Sequence, residues 1–182
     1  MTDPAERFIQ YLTTLAERDR GALATLRHSL AFAPGAYPRA FPYVERFAGA
    51  AAHERDARRL ALYAVAALFA RHPKQQAQSF ASAFGQLFRK RGSASIENRF
   101  VALLEADAEN IFDYLRQAIS LLAVDDMGLN YATLLKDLSV WMNPNRNPDP
   151  LRQRWARDFY RAAQDEEASP DPDAATDHAN AA

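Results

Sequence analysis

The sequence predicts an all-α fold, a bundle of roughly eight helices. Apolar residues recur at three- and four-residue spacing along most of the chain, whereas the alternation of a strand is nearly absent. Capping residues stand just before the periodic stretches, and prolines or glycines stand just after several of them. With 182 residues, 48% of them hydrophobic, the chain can fill one core or two half-cores but is short for two independent domains.

The elements follow in order. Asp3 caps a first helix, with Pro4 at its first position and Glu6 placed for a capping box; Phe8, Tyr11, Leu12 and Leu15 form its apolar stripe. A second helix starts near Asp19 and carries Leu23, Leu26 and Leu30. Three prolines and a glycine between positions 34 and 42 break any helix there, giving a crossing loop anchored by Tyr37 and Phe41. The third helix runs over 54–72 and stops before Pro73. The fourth carries Phe80, Phe84, Leu87 and Phe88 and ends in Arg89, Lys90, Arg91 and Gly92, a glycine suited to a helix end. Ser95 caps a short helix bearing Ile96, Phe100, Leu103 and Leu104. Asp107 caps the next, with Ile111, Leu115, Ile119 and Leu122 inward. Asn130 caps a helix whose Tyr131, Leu134, Leu135, Leu138, Trp141 and Met142 share one face, with Lys136 opposite. After a turn at 143–150, the last helix turns Leu151, Trp155 and Phe159 inward. Whether the halves before and after Gly92 make one bundle or two packed half-bundles stays open at this level.

Composition excludes several chemistries. The chain has no cysteine, so disulfides, thiolate zinc sites and cysteine nucleophiles are out, and a reducing compartment fits. No leader or membrane-spanning run is expected, which points to a soluble, cytoplasmic protein. The net charge of -1 hides an asymmetry: six acids and no Lys or Arg fall within 165–182. Residues 1–164 then hold 22 basic against 17 acidic groups, a formal +5. We expect 1–164 to be the folded domain and 165–182 a disordered acidic tail, because the tail has too little apolar surface to offset the entropy of ordering. Nineteen of the basic residues are Arg, whose planar fork matches phosphate oxygens.

Catalytic candidates do not assemble. His28, His53, His72 and His178 share no ligand spacing, so no metal is expected. Asp125 and Asp126 read as a solvated turn rather than a metal pair, and Glu105, Asp107 and Glu109 as acids favoured at a helix N-terminus. Ser93 and Ser95 have no histidine near in sequence to activate them. Binding, without enzymatic activity or a cofactor, is the expectation.

The basic residues divide into two kinds. Arg89, Lys90 and Arg91 sit at a helix C-terminus, where positive charge is favoured without any partner. Asp3 with Arg7, Glu54 with Arg58 and Asp113 with Arg116 have the spacing of intrahelical pairs. Arg27, Arg99, Arg116 and Lys136 each project from a different helix, beside a strong apolar stripe. Gathered on one surface they would hold a phosphate backbone with salt-dependent affinity; the alternative is a helical adaptor that docks acidic protein surfaces. Trp141, Trp155, Phe100, Phe159 and Tyr160 are candidate stacking platforms, but their helical spacing favours core packing.

The pieces RGALATLRHSL at 20–30, SIENRFVALLEAD at 95–107, LRQAISLLA at 115–123, LNYATLLKDLSVW at 129–141 and RQRWARDFY at 152–160 resemble the CasB family. These are the small, all-helical subunits of the type I-E CRISPR interference complex called Cascade. The five pieces stand in the family's order and span nearly all of the chain before the tail. The resemblance implies a non-enzymatic subunit, present in more than one copy, beside the backbone filament and the large subunit. It implies contact with guide RNA and target DNA, and a basic path for the DNA strand displaced in the R-loop. Arg27, Arg99, Arg116 and Lys136 match the family's basic positions. Arg20, Arg58, Arg59, Arg89, Lys90, Arg91 and Arg157 match it more loosely, and His28 stands where the family often has a second arginine.

Overall fold

The computed structural model describes residues 2–49 and 52–164; the expected acidic tail lies outside the described residues. Among these, nine α-helices form: α1 (Pro4–Arg18), α2 (Arg20–His28), α3 (Phe41–Ala48), α4 (Ala57–Arg71), α5 (Phe80–Arg91), α6 (Ala94–Glu105), α7 (Ile111–Val124), α8 (Tyr131–Trp141) and α9 (Asp149–Gln164). The all-α expectation holds. The helix beyond the expected eight is α3, which begins at the end of the segment read as a loop. Pro42 falls in its first turn, where the missing N–H has no intrahelical partner to lose.

Side-chain caps fix most of the starts. Asp3 accepts from the Ala5 N–H (3.0 Å), Asp19 from Ala22 (2.9 Å), Asp56 from Arg59 (3.0 Å) and Asn130 from Thr133 (3.0 Å). Three starts differ from the sequence reading. The helix expected from 54 begins at Ala57, so Glu54 lies in the turn before it and makes no intrahelical pair with Arg58. The N-cap position of α6 is Ser93, not Ser95. Asp107 closes a turn ahead of α7 by accepting from the N–H groups of Glu109 and Asn110, and the helix itself begins at Ile111. Gly92 ends α5 in the left-handed conformation (φ 58°), its N–H bonded to the Phe88 carbonyl.

α4 is the axis of the molecule. Residues 61–70 are buried without exception, as expected of a helix that is apolar on all sides. It packs against α2, α3, α7 and α8, and α1 closes this group by lying on α2 and α8. A second group forms around α5 and α9. There a Cβ on Gly85 would stand 2.2 Å from the Phe159 carbonyl oxygen, so only glycine admits the crossing. Phe100 stacks on Phe159 with ring centroids 4.0 Å apart and planes 9° from parallel. α7 touches both α4 and α5, and the apolar core runs continuously through the two groups. The partition therefore does not follow Gly92: α8, late in the chain, returns to α1 and α4.

A hydrogen-bonded clip joins the stretch after α4 to the stretch after α7. The Gln76 N–H donates to Leu129 O (3.0 Å), the Leu129 N–H to Lys74 O (3.2 Å) and the Asn130 N–H to Gln78 O (2.7 Å). Tyr131 Oη donates to His72 O (2.6 Å), and the buried His72 ring bonds Met127 O (2.8 Å). Gly128 permits the approach, since a Cβ there would lie 2.7 Å from Lys74 O.

Candidate nucleic-acid interface

Three of the four basic residues singled out by the sequence come together at the C-terminal end of α4. Arg71, the last residue of that helix, lines an open groove with Arg99 of α6, Arg116 and Gln117 of α7, Leu30 and Val124. Arg27 adjoins it, donating from Nε to Ala70 O at 3.0 Å. That carbonyl belongs to the last turn of α4 and has no partner within the helix. Cations are also favoured at this negative end of the helix dipole. Arg116 is held in the same way, with Nη1 donating to Leu30 O at 2.9 Å, and Arg99 donates to Gln117 Oε1 at 3.3 Å.

The nature of these partners decides the electrostatics. Carbonyl and amide oxygens orient a guanidinium without cancelling its charge, whereas a carboxylate does both. Among the described residues, Arg27, Arg71 and Arg99 have no carboxylate within ion-pairing distance, and Arg116 has one long contact, 3.6 Å to Asp113. Arg71 was not among the residues selected from the sequence. Its position as the last charged residue before His72-Pro73 was the available signal.

Lys136 lies elsewhere. It pairs with the Asp3 carboxylate that caps α1 and lines a second groove with Arg7, Arg46 and Arg58. The hydrogen bond from Lys136, with that from the Ala5 N–H, holds the Asp3 carboxyl below its usual range; the same contact raises Lys136. Arg58 and Arg71 stand thirteen residues apart on α4, so the two grooves are separated by about 20 Å along its axis.

The remaining basic residues have varied surroundings. Arg59 turns inward, 8% exposed, and makes a two-pronged pair with Glu45 at 3.0 Å for each contact. Tyr63 also donates to Glu45, and both bonds lower the Glu45 carboxyl pKa, Arg59 more than Tyr63. Arg59 thus ties α4 to α3 and offers no free charge to solvent. Arg91 and Lys90 converge on Asp125, and Lys74 pairs with Asp126 at 2.6 Å. Hydrogen bonds from Arg91 and Lys74 hold these two aspartates low. Arg89 donates to Ala162 O at 3.1 Å and so serves the α5–α9 packing. Arg20 and Arg157 are exposed on α2 and α9.

Of the five aromatic side chains that are candidate stacking platforms, four are core and Tyr160 is at the surface, 39% exposed. Trp141, Trp155, Phe100 and Phe159 are fully buried; the two indole N–H groups donate to Ala106 O (3.1 Å) and Asp137 Oδ2 (2.8 Å). Tyr160 is partly exposed but bonds Glu97. A different aromatic group lies at the surface next to the first groove: Phe32, Tyr37 and His28. Phe32 is 39% exposed and stacks on Tyr37 with centroids 4.6 Å apart.

Comparison with known proteins accords with this architecture. The family model for "CRISPR-associated protein Cse2" matches residues 22–160. CRISPR-associated protein Cse2 of Thermus thermophilus is 44% identical over 168 residues, spanning 90% of this chain and 94% of that one. The crystal structure of CasB from Thermus thermophilus, 42% identical, superposes with a TM-score of 0.72 over 87% of this chain and 99% of the other. A chain of a CRISPR RNA-guided surveillance complex shares the fold at 21% identity, with a TM-score of 0.76 over 88% and 93% of the two chains. On the strength of the family match and the 44% relative, the chain belongs to the Cse2 family of CRISPR-associated proteins.

Proposed function

We propose that this chain is a non-catalytic subunit of a CRISPR RNA-guided surveillance complex, and that it binds nucleic-acid backbone without sequence preference. The observation that carries the reading is the convergence of Arg27, Arg71, Arg99 and Arg116 at one end of α4 with little carboxylate compensation. Phosphates of a single strand crossing this groove replace solvent around side chains that are exposed at Arg27, Arg71 and Arg99 and half-buried at Arg116. Arg58 and Lys136, in the second groove, supply a weaker contact because Asp3 already answers Lys136. Pairing between a guide and its target exchanges one duplex for another at nearly balanced energy, so a few backbone contacts to the displaced strand tip it toward the open R-loop. In the assembled complex its partners are the other Cascade subunits, guide RNA, target DNA and a further copy of itself.

A second reading, docking to an acidic protein surface, is favoured by one observation: Val124, 72% exposed, forms part of the groove wall. A salt titration separates the two. The full chain is titrated against a labelled single strand and a duplex of equal length. If the four arginines each meet a phosphate, affinity for the single strand falls on a log-log salt plot with a slope of about -3. Absence of binding to either probe at low salt assigns the groove to a protein partner.

A further inference from the structure

Within the aromatic group beside the arginine groove, Phe32 has no donor to offer a phosphate. Phe32 follows the 3-10 turn Ser29–Ala31 with extended backbone (φ -122°, ψ 158°). Its N–H remains bonded to Ser29 O at 3.0 Å. One face of its ring is covered by Tyr37, whose plane lies 16° from parallel. His28 packs against both, 5.9 Å from Phe32 and 5.3 Å from Tyr37. The three centroid distances put His28 beside the Phe32–Tyr37 pair and not over the far face of Phe32, so neither aromatic neighbour covers that face of a side chain that is 39% exposed.

The support beneath this surface is rigid. The loop that carries Tyr37 is pinned by the Ala36 N–H to Ala33 O bond and the Ala40 N–H to Tyr37 O bond, both 3.0 Å. Gly35, at φ 80°, lies so close to Arg59 that a Cβ would stand 2.8 Å from its Nη1. The Arg59–Glu45 pair thus backs the loop. Leu30, whose carbonyl holds Arg116, is two residues from Phe32, at most about 7 Å of extended chain. An exposed π-face, a rigid mount and a neighbouring row of guanidinium groups are the parts of a single-strand site: phosphate on the cations, base on the ring.

We infer that Phe32, backed by Tyr37 and flanked by His28, is a nucleobase-stacking platform that receives one base of the single strand whose phosphates lie in the Arg27–Arg116 groove. This inference rests on the proposed nucleic-acid function and adds to it a contact that depends on the base rather than the backbone. The face of Phe32 takes any base, so the platform favours unpaired over paired strands without reading sequence. A duplex keeps its bases inside the stack and gains nothing from it.

The test compares a 12-nucleotide thymidine strand with a fully abasic sugar-phosphate strand of the same length and charge, using fluorescence anisotropy and the full chain. Wild type is expected to bind the thymidine strand about tenfold tighter than the abasic one. Phe32→Leu, which keeps apolar bulk and loses the π-face, should bring that ratio to about one and leave the salt slope unchanged. Phe32→Tyr should restore the ratio. Equal affinity of wild type for the two strands, or a ratio that survives Phe32→Leu, overturns the platform and leaves phosphate binding standing. Binding to neither strand overturns the proposed function together with the platform. Concentration-dependent self-association that Phe32→Leu abolishes, with no dependence on the base, assigns the patch to a second copy of the chain and overturns it as well.

Discussion

The two ends of α4 gather cations in different ways. At the N-terminal end, Arg59 is answered by Glu45, Lys136 by Asp3, and Arg46 stacks over the Tyr11 ring at 4.3 Å. Arg7 and Arg58 keep this end from being neutral, but carboxylates organise it. At the C-terminal end the organisers are a helix-terminal carbonyl, the Leu30 carbonyl and the Gln117 amide. The first arrangement spends its charge inside the protein. The second fixes guanidinium groups in place while leaving their field turned to solvent, as a site for an outside anion requires.

The sharpest way to break this contrast is to reverse the charge at the C-terminal end. Arg27→Glu, Arg99→Glu and Arg116→Glu together should weaken single-strand binding on the order of a hundredfold in low salt, with the helical circular dichroism spectrum unchanged. Retention of wild-type affinity would sink the phosphate reading. Adding Lys136→Glu should remove what binding remains. Single reversals sharpen the comparison: Arg99→Glu should cost about tenfold in anisotropy titrations and Lys136→Glu about twofold, because only the first loses a charge not already answered by an acid. Equal losses would mean that the two grooves act as one site.

Stability should respond in the opposite order. Glu45→Gln leaves the buried Arg59 guanidinium without its charged partner and should lower stability by about 1 kcal/mol in denaturant melts, while strand affinity stays at the wild-type level. The smallest effect is in acid. Asp3, Glu45, Asp125 and Asp126 all have carboxyl pKa values below their ordinary ones. Such groups stabilise the fold above the ordinary carboxylate range, and that contribution is lost as pH falls through the depressed values. The difference in melting temperature between wild type and Glu45→Gln should therefore shrink as pH drops below the ordinary glutamate value. A difference that stays constant would place the cause in packing rather than charge.

Much of the fold was legible because helix signals are local. Asp3, Asp19 and Asn130 cap where their positions suggested, and Gly92 ends its helix in the left-handed conformation that glycine favours. α3 escapes a sequence reading because proline is a helix breaker everywhere except a first turn, where Pro42 stands. Without α3, Glu45 is hidden and, with it, the reason Arg59 turns inward. Arg58 and Arg59 look alike as neighbours in sequence; only the packing of α3 on α4 tells them apart. The gathering of Arg27, Arg99 and Arg116, and the separation of Lys136 from them, depend on how α2, α4, α6 and α7 meet, and no short-range pattern encodes that. The Phe32–Tyr37 stack has the same origin, since it joins a residue before the 34–42 segment to one within it.

The clip between the stretches after α4 and α7 has a mechanical side. Arg71 and Arg116 are carried by those two helices, and under the proposed function a strand held across them would load the contact between α4 and α7. The backbone bonds joining 74–78 to 128–130 lie across that seam, and His72 is fastened to both Tyr131 and Met127. The clip would then add several hydrogen bonds in parallel to the direct packing of α4 on α7 in keeping the arginines together.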